Sequence, residues 1–331
     1  MIPAAEQVTS ITSMTSIAVQ VRRKRQEAPD IASFELVRAD GAALPGFSAG
    51  AHVDVTLPGG VVRQYSLCND DGDPAHYRIA VLRDPRSRGG SIAVHEIVEG
   101  DTLTISAPKN HFPLVHARRT LLFAGGIGIT PLLCMAQRLS VTGADFELHY
   151  CNRSAERAAF LDEIAVSSFA SNLRLHLDDG PPAQRLDAEH ALGAPAPDVH
   201  AYVCGPAGFI DHVLSTALQC GWSQEQLHRE YFGVAPTAAT PTGGAFQVRI
   251  ASSGLTCDVP EDRSVVEVLR AQGIDIPTSC EQGVCGTCIT RVLQGECDHR
   301  DFYFTHEEHA RQDQFTPCCS RAKSAMLVLD L

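Results

Sequence analysis

Between residues 17 and 106 apolar and polar positions alternate in short runs, at 17–22, 31–37, 52–57, 61–67, 77–83 and 103–106. A period of two is what a strand with one buried face requires. Pro29, the pair Pro45 and Gly46, the run Pro58, Gly59 and Gly60, and the pair Asp71 and Gly72 fall between the runs as turn residues. Six strands spaced in this way predict a small antiparallel barrel. One helix at 91–98, just after a glycine pair, interrupts them.

Near residue 119 the pattern changes. Short apolar strands at 120–123, 146–150, 173–177, 200–204 and 227–231 take turns with helical stretches at 131–139, 158–166 and 207–219. That alternation predicts a parallel sheet covered by helices. A stretch rich in Pro, Thr, Ala and Gly at 235–244 reads as a linker. Beyond it come a hairpin at 246–250 and 255–259, a helix at 264–272, and a loop rich in glycine and cysteine. The expected organisation is therefore a tail at 1–16, a barrel domain at 17–114, an α/β domain at 115–234, the linker, and a third domain at 245–331.

A length of 331 residues suits two or three domains, and 44% hydrophobic with 20% charged residues is ordinary globular composition. The net charge of −12 argues against nucleic acid as a partner, because binding a phosphate backbone needs clustered Lys and Arg. The first sixteen residues are polar and lack the apolar core of a secretory signal. The longest uncharged stretch, 120–137, is cut by Gly125, Gly126, Gly128 and Pro131, so no membrane span is expected. These features place the chain in the cytoplasm, as a monomer. Twelve cysteines without a signal peptide then point to metal or redox chemistry more than to disulfides.

Cys280, Cys285 and Cys288 have the spacing C-x4-C-x2-C, with Cys318 downstream, which is how plant-type ferredoxins hold a two-iron, two-sulfur cluster. Thiolates are soft donors suited to iron and sulfide. Gly283 and Gly286 allow the tight backbone turn and bring N–H groups towards the cluster sulfurs. A four-cysteine zinc clasp is the competing reading, but such sites come as two short knuckles. Cys318 and Cys319 are adjacent, and only one of them can face the cluster. Cys134, Cys151, Cys220, Cys257 and Cys297 have no partner at ligand spacing and read as small hydrophobes. His306-Glu-Glu-His309 has its histidines three apart, where the zinc-protease helix needs four, and reads as solvated residues in a polar loop.

Gly125-Gly126-Ile127-Gly128-Ile129-Thr130-Pro131 follows a strand and opens a helix. Its glycines allow a pyrophosphate close to backbone N–H groups at a helix N-terminus, with Thr130 as N-cap and Pro131 as the first helical residue. Pro131 stands where the third glycine of G-x-G-x-x-G would be, so the motif alone is weak. Cys204-Gly205-Pro206 also ends a sheet strand before a helix, and the two turns could flank one nicotinamide crevice. A nicotinamide gives two electrons together, whereas a cluster takes one at a time, so a flavin is needed between them. The barrel offers Arg63-Gln64-Tyr65-Ser66-Leu67: a guanidinium for phosphate, an aromatic face, and a hydroxyl for a ring nitrogen. Arg88-Gly89-Gly90-Ser91 adds a backbone anion nest.

In these motifs, together with Cys318-Cys-Ser-Arg-Ala322, the chain resembles the phthalate dioxygenase reductase family, which includes the reductase components of vanillate O-demethylase. The resemblance runs from about Ile17 to Leu331. It implies an antiparallel six-stranded flavin barrel, a parallel-sheet nicotinamide domain, and a β-grasp ferredoxin domain. It implies FMN rather than FAD, NADH as donor, and a Rieske-type terminal oxygenase as acceptor. Arg63, Gly90 and Ser91 would hold the FMN phosphate, Tyr65 and Ser66 would flank the ring, and Thr130 and Cys204 would lie near the nicotinamide. Phe232 matches the aromatic that covers the flavin face, with neighbouring Tyr231 as the alternative, and the first of the two final cysteines, Cys318, is the family's ligand. Ser66, Cys204 and Phe232 are thus the candidate catalytic residues. Arg153, Ser154 and Arg157 could meet a ribose or a 2′-phosphate, which leaves NADPH open. Rival readings are a reductase serving ferric ions, quinones or a ferredoxin, and a sensor that keeps FMN and a metal clasp without turnover.

Overall fold

The computed structural model describes residues 16–58, 60–73, 75–85, 89–232, 244–278 and 280–331. The tail apart from Ser16, the linker apart from Gly244, and the candidate cofactor residue Arg88 lie outside the described residues.

The first unit contains β1 (Ser16–Ala28), β2 (Ile31–Arg38), β3 (His52–Thr56), β4 (Val62–Ser66), β5 (Tyr77–Leu82), α1 (Gly90–Glu96) and β6 (Thr102–Ser106). The strands pair antiparallel in the order β4-β3-β6-β1-β2-β5. Ile17, Val19 and Val21 of β1 are buried between exposed neighbours, and they join Phe34, Leu36, Val53, Val55 and Tyr77 in one core. The sheet curls on itself where the chain leaving β4 meets β5: Leu67 bridges Ile79, and Cys68 N donates to Arg78 O at 2.9 Å. Helix α1 starts one residue before the expected 91 and ends two before the expected 98. Gly89 at φ 94 sets the first turn, and Ile97 is already extended.

The second unit contains β7 (Arg119–Gly125), α2 (Ile129–Thr142), β8 (Asp145–Asn152), α3 (Leu161–Ala165), β9 (Leu173–Leu177), α4 (Ala188–Leu192), β10 (Val199–Gly205), α5 (Ala207–Gln219) and β11 (Leu227–Tyr231). Its five strands are all parallel, in the order β11-β10-β7-β8-β9. Leu122 and Ala124 of β7 belong to the core on one face, Leu121 and Phe123 to the core on the other. Burial on both faces is why β7 reads as a continuous apolar run from Leu121 to Ala124.

Two helix expectations are corrected here. Thr130 is not the N-cap of α2: a 3-10 turn at Gly126–Gly128 leads in, Gly128 takes that position, and the Thr130 hydroxyl donates to Ile127 O at 3.1 Å. Pro131 therefore sits third in the helix, where its missing N–H costs nothing because first-turn donors have no intrahelical acceptor. The helix expected at 158–166 shrinks to α3, because Phe160 at φ 65 is left-handed, a conformation that an α-helix cannot contain.

The third unit contains β12 (Phe246–Ile250), β13 (Thr256–Val259), α6 (Val265–Ala271), β14 (Thr290–Gln294), β15 (Cys297–Asp298), α7 (His306–Arg311), β16 (Gln314–Phe315), β17 (Arg321–Ala322) and β18 (Met326–Leu329). The mixed sheet β13-β12-β18-β14-β16 has β12 and β18 parallel at its centre and α6 packed on it, the β-grasp arrangement. Ser264 caps α6 in a reciprocal box with Glu267. Residues 306–309, expected as loop, form the start of α7, capped by the same kind of box between Thr305 and Glu308. His309 stacks on His299 at 4.2 Å and hydrogen-bonds the buried Asp301 carboxylate, so it is not a freely solvated side chain.

The barrel and the parallel sheet share apolar contacts, since Ala49, Cys68 and Phe112 belong to the same core as Leu132, Met135 and Tyr202. Arg78 of β5 and Glu163 of α3 make a two-pronged ion pair across this seam, at 2.7 and 2.8 Å. Among the described residues no helix is long and apolar enough to cross a membrane.

Candidate functional site

Cys280, Cys285 and Cys288 lie on the loop between α6 and β14, and Cys318 approaches from the segment before β17. The thiols meet in pairs, Cys280 with Cys285 and Cys318 with Cys288. Gln282 N donates to Cys280 Sγ at 3.3 Å and Thr287 N to Cys285 Sγ at 3.5 Å. Two thiol pairs, the first of them with amide donors on its sulfurs, suit an anionic iron–sulfur cluster. Gly283 and Gly286 have φ of 73 and 68. A Cβ on Gly283 would overlap Cys319 Sγ and come within 2.9 Å of Asp301, and one on Gly286 would lie 2.5 Å from the Tyr303 ring. Glycine is therefore needed here for close packing as well as for the turn. The Cys319 sulfur also meets that of Cys318, and it lies against Gly283 and 3.2 Å from the Thr316 hydroxyl.

In the barrel, Arg63 reaches across the start of α1: a Cβ on Gly90 would stand 2.7 Å from Arg63 Nε. The guanidinium, the Gly89 turn and the first amides of α1 at Gly90 and Ser91 thus lie together, a combination that suits a phosphate. Tyr65 is half-buried, and burial pushes its phenol up to about 12, so it remains protonated. Ser66 is buried at the end of β4. Leu67 contributes little to a cofactor, because its side chain is in the barrel core and its N–H is spent on Ala51 O.

The two glycine turns of the parallel sheet touch directly. A Cβ on Gly128 would overlap Cys204 O, one on Gly125 would meet Phe209 at 2.9 Å, and one on Gly205 would meet Gly125 Cα at 2.9 Å. These three glycines serve turn-to-turn packing, and only Gly126, at φ 54, faces open space where a ligand could approach. Thr130 and Pro131 are both buried behind the turn, while Pro206 supplies the N-cap of α5. Arg153 and Arg157 are exposed at the end of β8, where Asp179 N donates to Arg153 O at 3.0 Å.

One residue that the sequence reading passed over joins the barrel to the sheet. Cys204 pairs with Glu230 in the β10–β11 register, and Glu230 Oε2 accepts a hydrogen bond from Ser66 Oγ at 3.3 Å. Burial pushes the Glu230 carboxyl up to about 8, against the Ser66 hydrogen bond that favours ionisation. Burial first, and then Glu230, hold the Cys204 thiol well above its ordinary value. The available signal was an acidic residue at the carboxyl end of a parallel strand, where ligands bind in such sheets. Just beyond it, Tyr231 packs on Phe302 at 5.3 Å and donates to Asp211 at 3.0 Å, whereas Phe232 is 43% exposed.

The family model described as a 2Fe-2S iron-sulfur cluster binding domain matches residues 248–323, a span that includes all four candidate ligands. Vanillate O-demethylase oxidoreductase of Pseudomonas sp. (strain HR199 / DSM 7063) is 58% identical, over 95% of this chain and 100% of its own. Phthalate dioxygenase reductase of Burkholderia cepacia is 42% identical, over 95% of this chain and 97% of its own. The chain also resembles a solved structure of phthalate dioxygenase reductase, described as modular for electron transfer from pyridine nucleotides to [2Fe-2S]. That match has a TM-score of 0.75 and 41% identity, covering 96% of this chain and 98% of the other.

Proposed function

The chain belongs to the phthalate dioxygenase reductase family, and from that premise we propose that it is the reductase component of a two-component oxygenase system, drawing on NADH and serving a Rieske-type terminal oxygenase. An FMN held in the barrel would supply a group that accepts hydride and releases single electrons, and a 2Fe-2S cluster on the four cysteines would supply one-electron transfer. The chain's own residues bind and orient. Arg63 and the amides of Gly90 and Ser91 would hold the FMN phosphate, while Tyr65 and Ser66 would flank the ring and its reactive nitrogen. Gly126 and the Cys204 turn receive the nicotinamide, and Phe232 covers the flavin face until it arrives. Glu230, protonated at neutral pH, fixes the Ser66 hydroxyl. Cys280, Cys285, Cys288 and Cys318 hold the cluster. All twelve cysteines are unpaired, in keeping with work in the reducing cytoplasm.

The observation that carries this reading is the hydrogen bond from Ser66 to Glu230, the register partner of Cys204, which brings the carboxyl ends of β10 and β11 onto the barrel strand. Anaerobic NADH added to the purified protein should bleach both flavin and cluster absorbance, and a colourless, zinc-bearing protein would sink the reading. Cys285→Ser should abolish cytochrome c reduction while leaving NADH-driven flavin reduction within about twofold of wild type, since the hydride step is set by positioning in the other two domains. Loss of both activities would contradict that division. Reconstitution with candidate oxygenases, scored by product formed per NADH consumed, tests the partner.

A further inference from the structure

The cluster loop is gripped from outside by two consecutive aromatic residues that no motif singled out. Phe302 N donates to Gly283 O at 3.0 Å, and the Tyr303 ring lies against Gly286. From this shared anchor the two rings diverge. Phe302, 38% exposed, packs on Tyr231 at the end of β11, while Tyr303 meets the edge of His111 at 6.3 Å. His111 in turn lies 5.4 Å from His52, whose register partner on β4 is Ser66. The segment that bears His111 is itself pinned, because Lys109 and His52 exchange both backbone hydrogen bonds, at 2.8 and 2.9 Å. A line of rings thus leads from the strand assigned to the flavin to the loop assigned to the cluster, and a second contact ties that loop to the nicotinamide sheet.

We propose that Phe302 and Tyr303 form a clamp that docks the cluster loop against both other domains and so sets the approach of the cluster to the flavin. The inference rests on the functional reading above. Both are positioning residues: no bond is made or broken at either ring, and the single electron lost by reduced flavin is the one gained by the oxidised cluster. Two aromatic rings supply adhesion without a fixed charge, and the Tyr303 hydroxyl is not required for it.

The test uses holoenzyme carrying Phe302→Ala with Tyr303→Ala, and separately His111→Ala, which removes the barrel side of the contact and leaves the ferredoxin fold untouched should the double variant fail to fold. Hydrogen–deuterium exchange at 107–112 and 227–232 should rise in the double variant, and at 107–112 in His111→Ala. In anaerobic stopped flow the hydride step should stay at the wild-type rate, while electron transfer from flavin to cluster slows by roughly tenfold, as expected for misplacement on the ångström scale. The cluster's electron paramagnetic resonance spectrum and midpoint potential should not move, and Tyr303→Phe should behave as wild type. Unchanged exchange with unchanged electron transfer would overturn the clamp, as would a shifted potential without increased exchange, which would make the rings tuners of the cluster. If the wild-type protein itself could not reduce its cluster with NADH, the functional reading would fall, and the exchange measurement would still decide the clamp.

Discussion

A carboxyl group that reaches about 8 in the folded protein is neutral where nearly every other carboxyl is charged, and Glu230 is in that state because burial outweighs its bond from Ser66. Its folded value lies above the unfolded one. The stabilisation it carries is therefore fully present below about 4.5 and is lost as pH rises through 8. The same titration should appear in catalysis. The rate of flavin reduction by NADH is expected to change through a single ionisation near pH 8 in the wild type. Glu230→Gln keeps an oxygen to accept from Ser66 but cannot ionise, so its rate should be flat across that range and its stability should lose the slope. Stopped-flow rates and chemical denaturation across pH 6 to 9 measure both, and a variant that retains the wild-type profile would remove Glu230 from the site. Neither Ser66 nor Glu230 announces the other in sequence, because 164 positions separate them and only the packing of barrel on sheet brings them together.

At the scale of elements, strand β12 follows from periodicity alone, because burial on one face repeats every second residue, and β9, β11 and helix α5 also have the bounds expected from the sequence. The cluster spacing was equally legible, since a ligand loop is a local pattern. Elements whose ends depend on backbone geometry were read less well. Phe160 carries no sign in its residue type that it will turn left-handed and cut α3 short. The capping box of α7, Thr305 to Glu308, was present as a signature, but the histidines drew attention from it. The glycine turns show the same limit: their sequence suggests room for phosphate, while the structure spends three of the glycines on contact between the turns. Two substitutions separate these roles. Gly126→Ala meets open space and should cost about 1–2 kcal/mol for its positive φ. Gly128→Ala would drive a methyl into Cys204 O and should cost about 3 kcal/mol while weakening NADH binding. Urea unfolding and NADH titration distinguish them, and equal costs would contradict the packing argument.

For the whole molecule, hydride transfer demands that the barrel and the parallel sheet keep register, and the Arg78–Glu163 pair spans the same seam as the Ser66–Glu230 contact. Arg78 also donates to Cys68 O at 3.1 Å and lies 5.1 Å above the Phe160 ring, so the left-handed turn before α3 presents both an aromatic face and a carboxylate to one guanidinium. The side chains are 14% and 30% exposed, an environment between a surface pair and a buried one. Glu163→Ala would leave the cation half-buried without its counter-charge, and should lower stability by about 2 kcal/mol. Arg78→Met with Glu163→Leu leaves no unpaired charge, and should return to within about 1 kcal/mol of wild type. Function should not recover with stability, because an apolar contact can slide where a two-pronged ion pair fixes direction. The double variant is therefore expected to unfold near the wild-type temperature yet reduce its flavin several-fold more slowly, with cluster spectra unchanged. Recovery of both properties would mean that the pair contributes adhesion alone, and that the shared apolar core is sufficient to align the nicotinamide turns with the flavin strand.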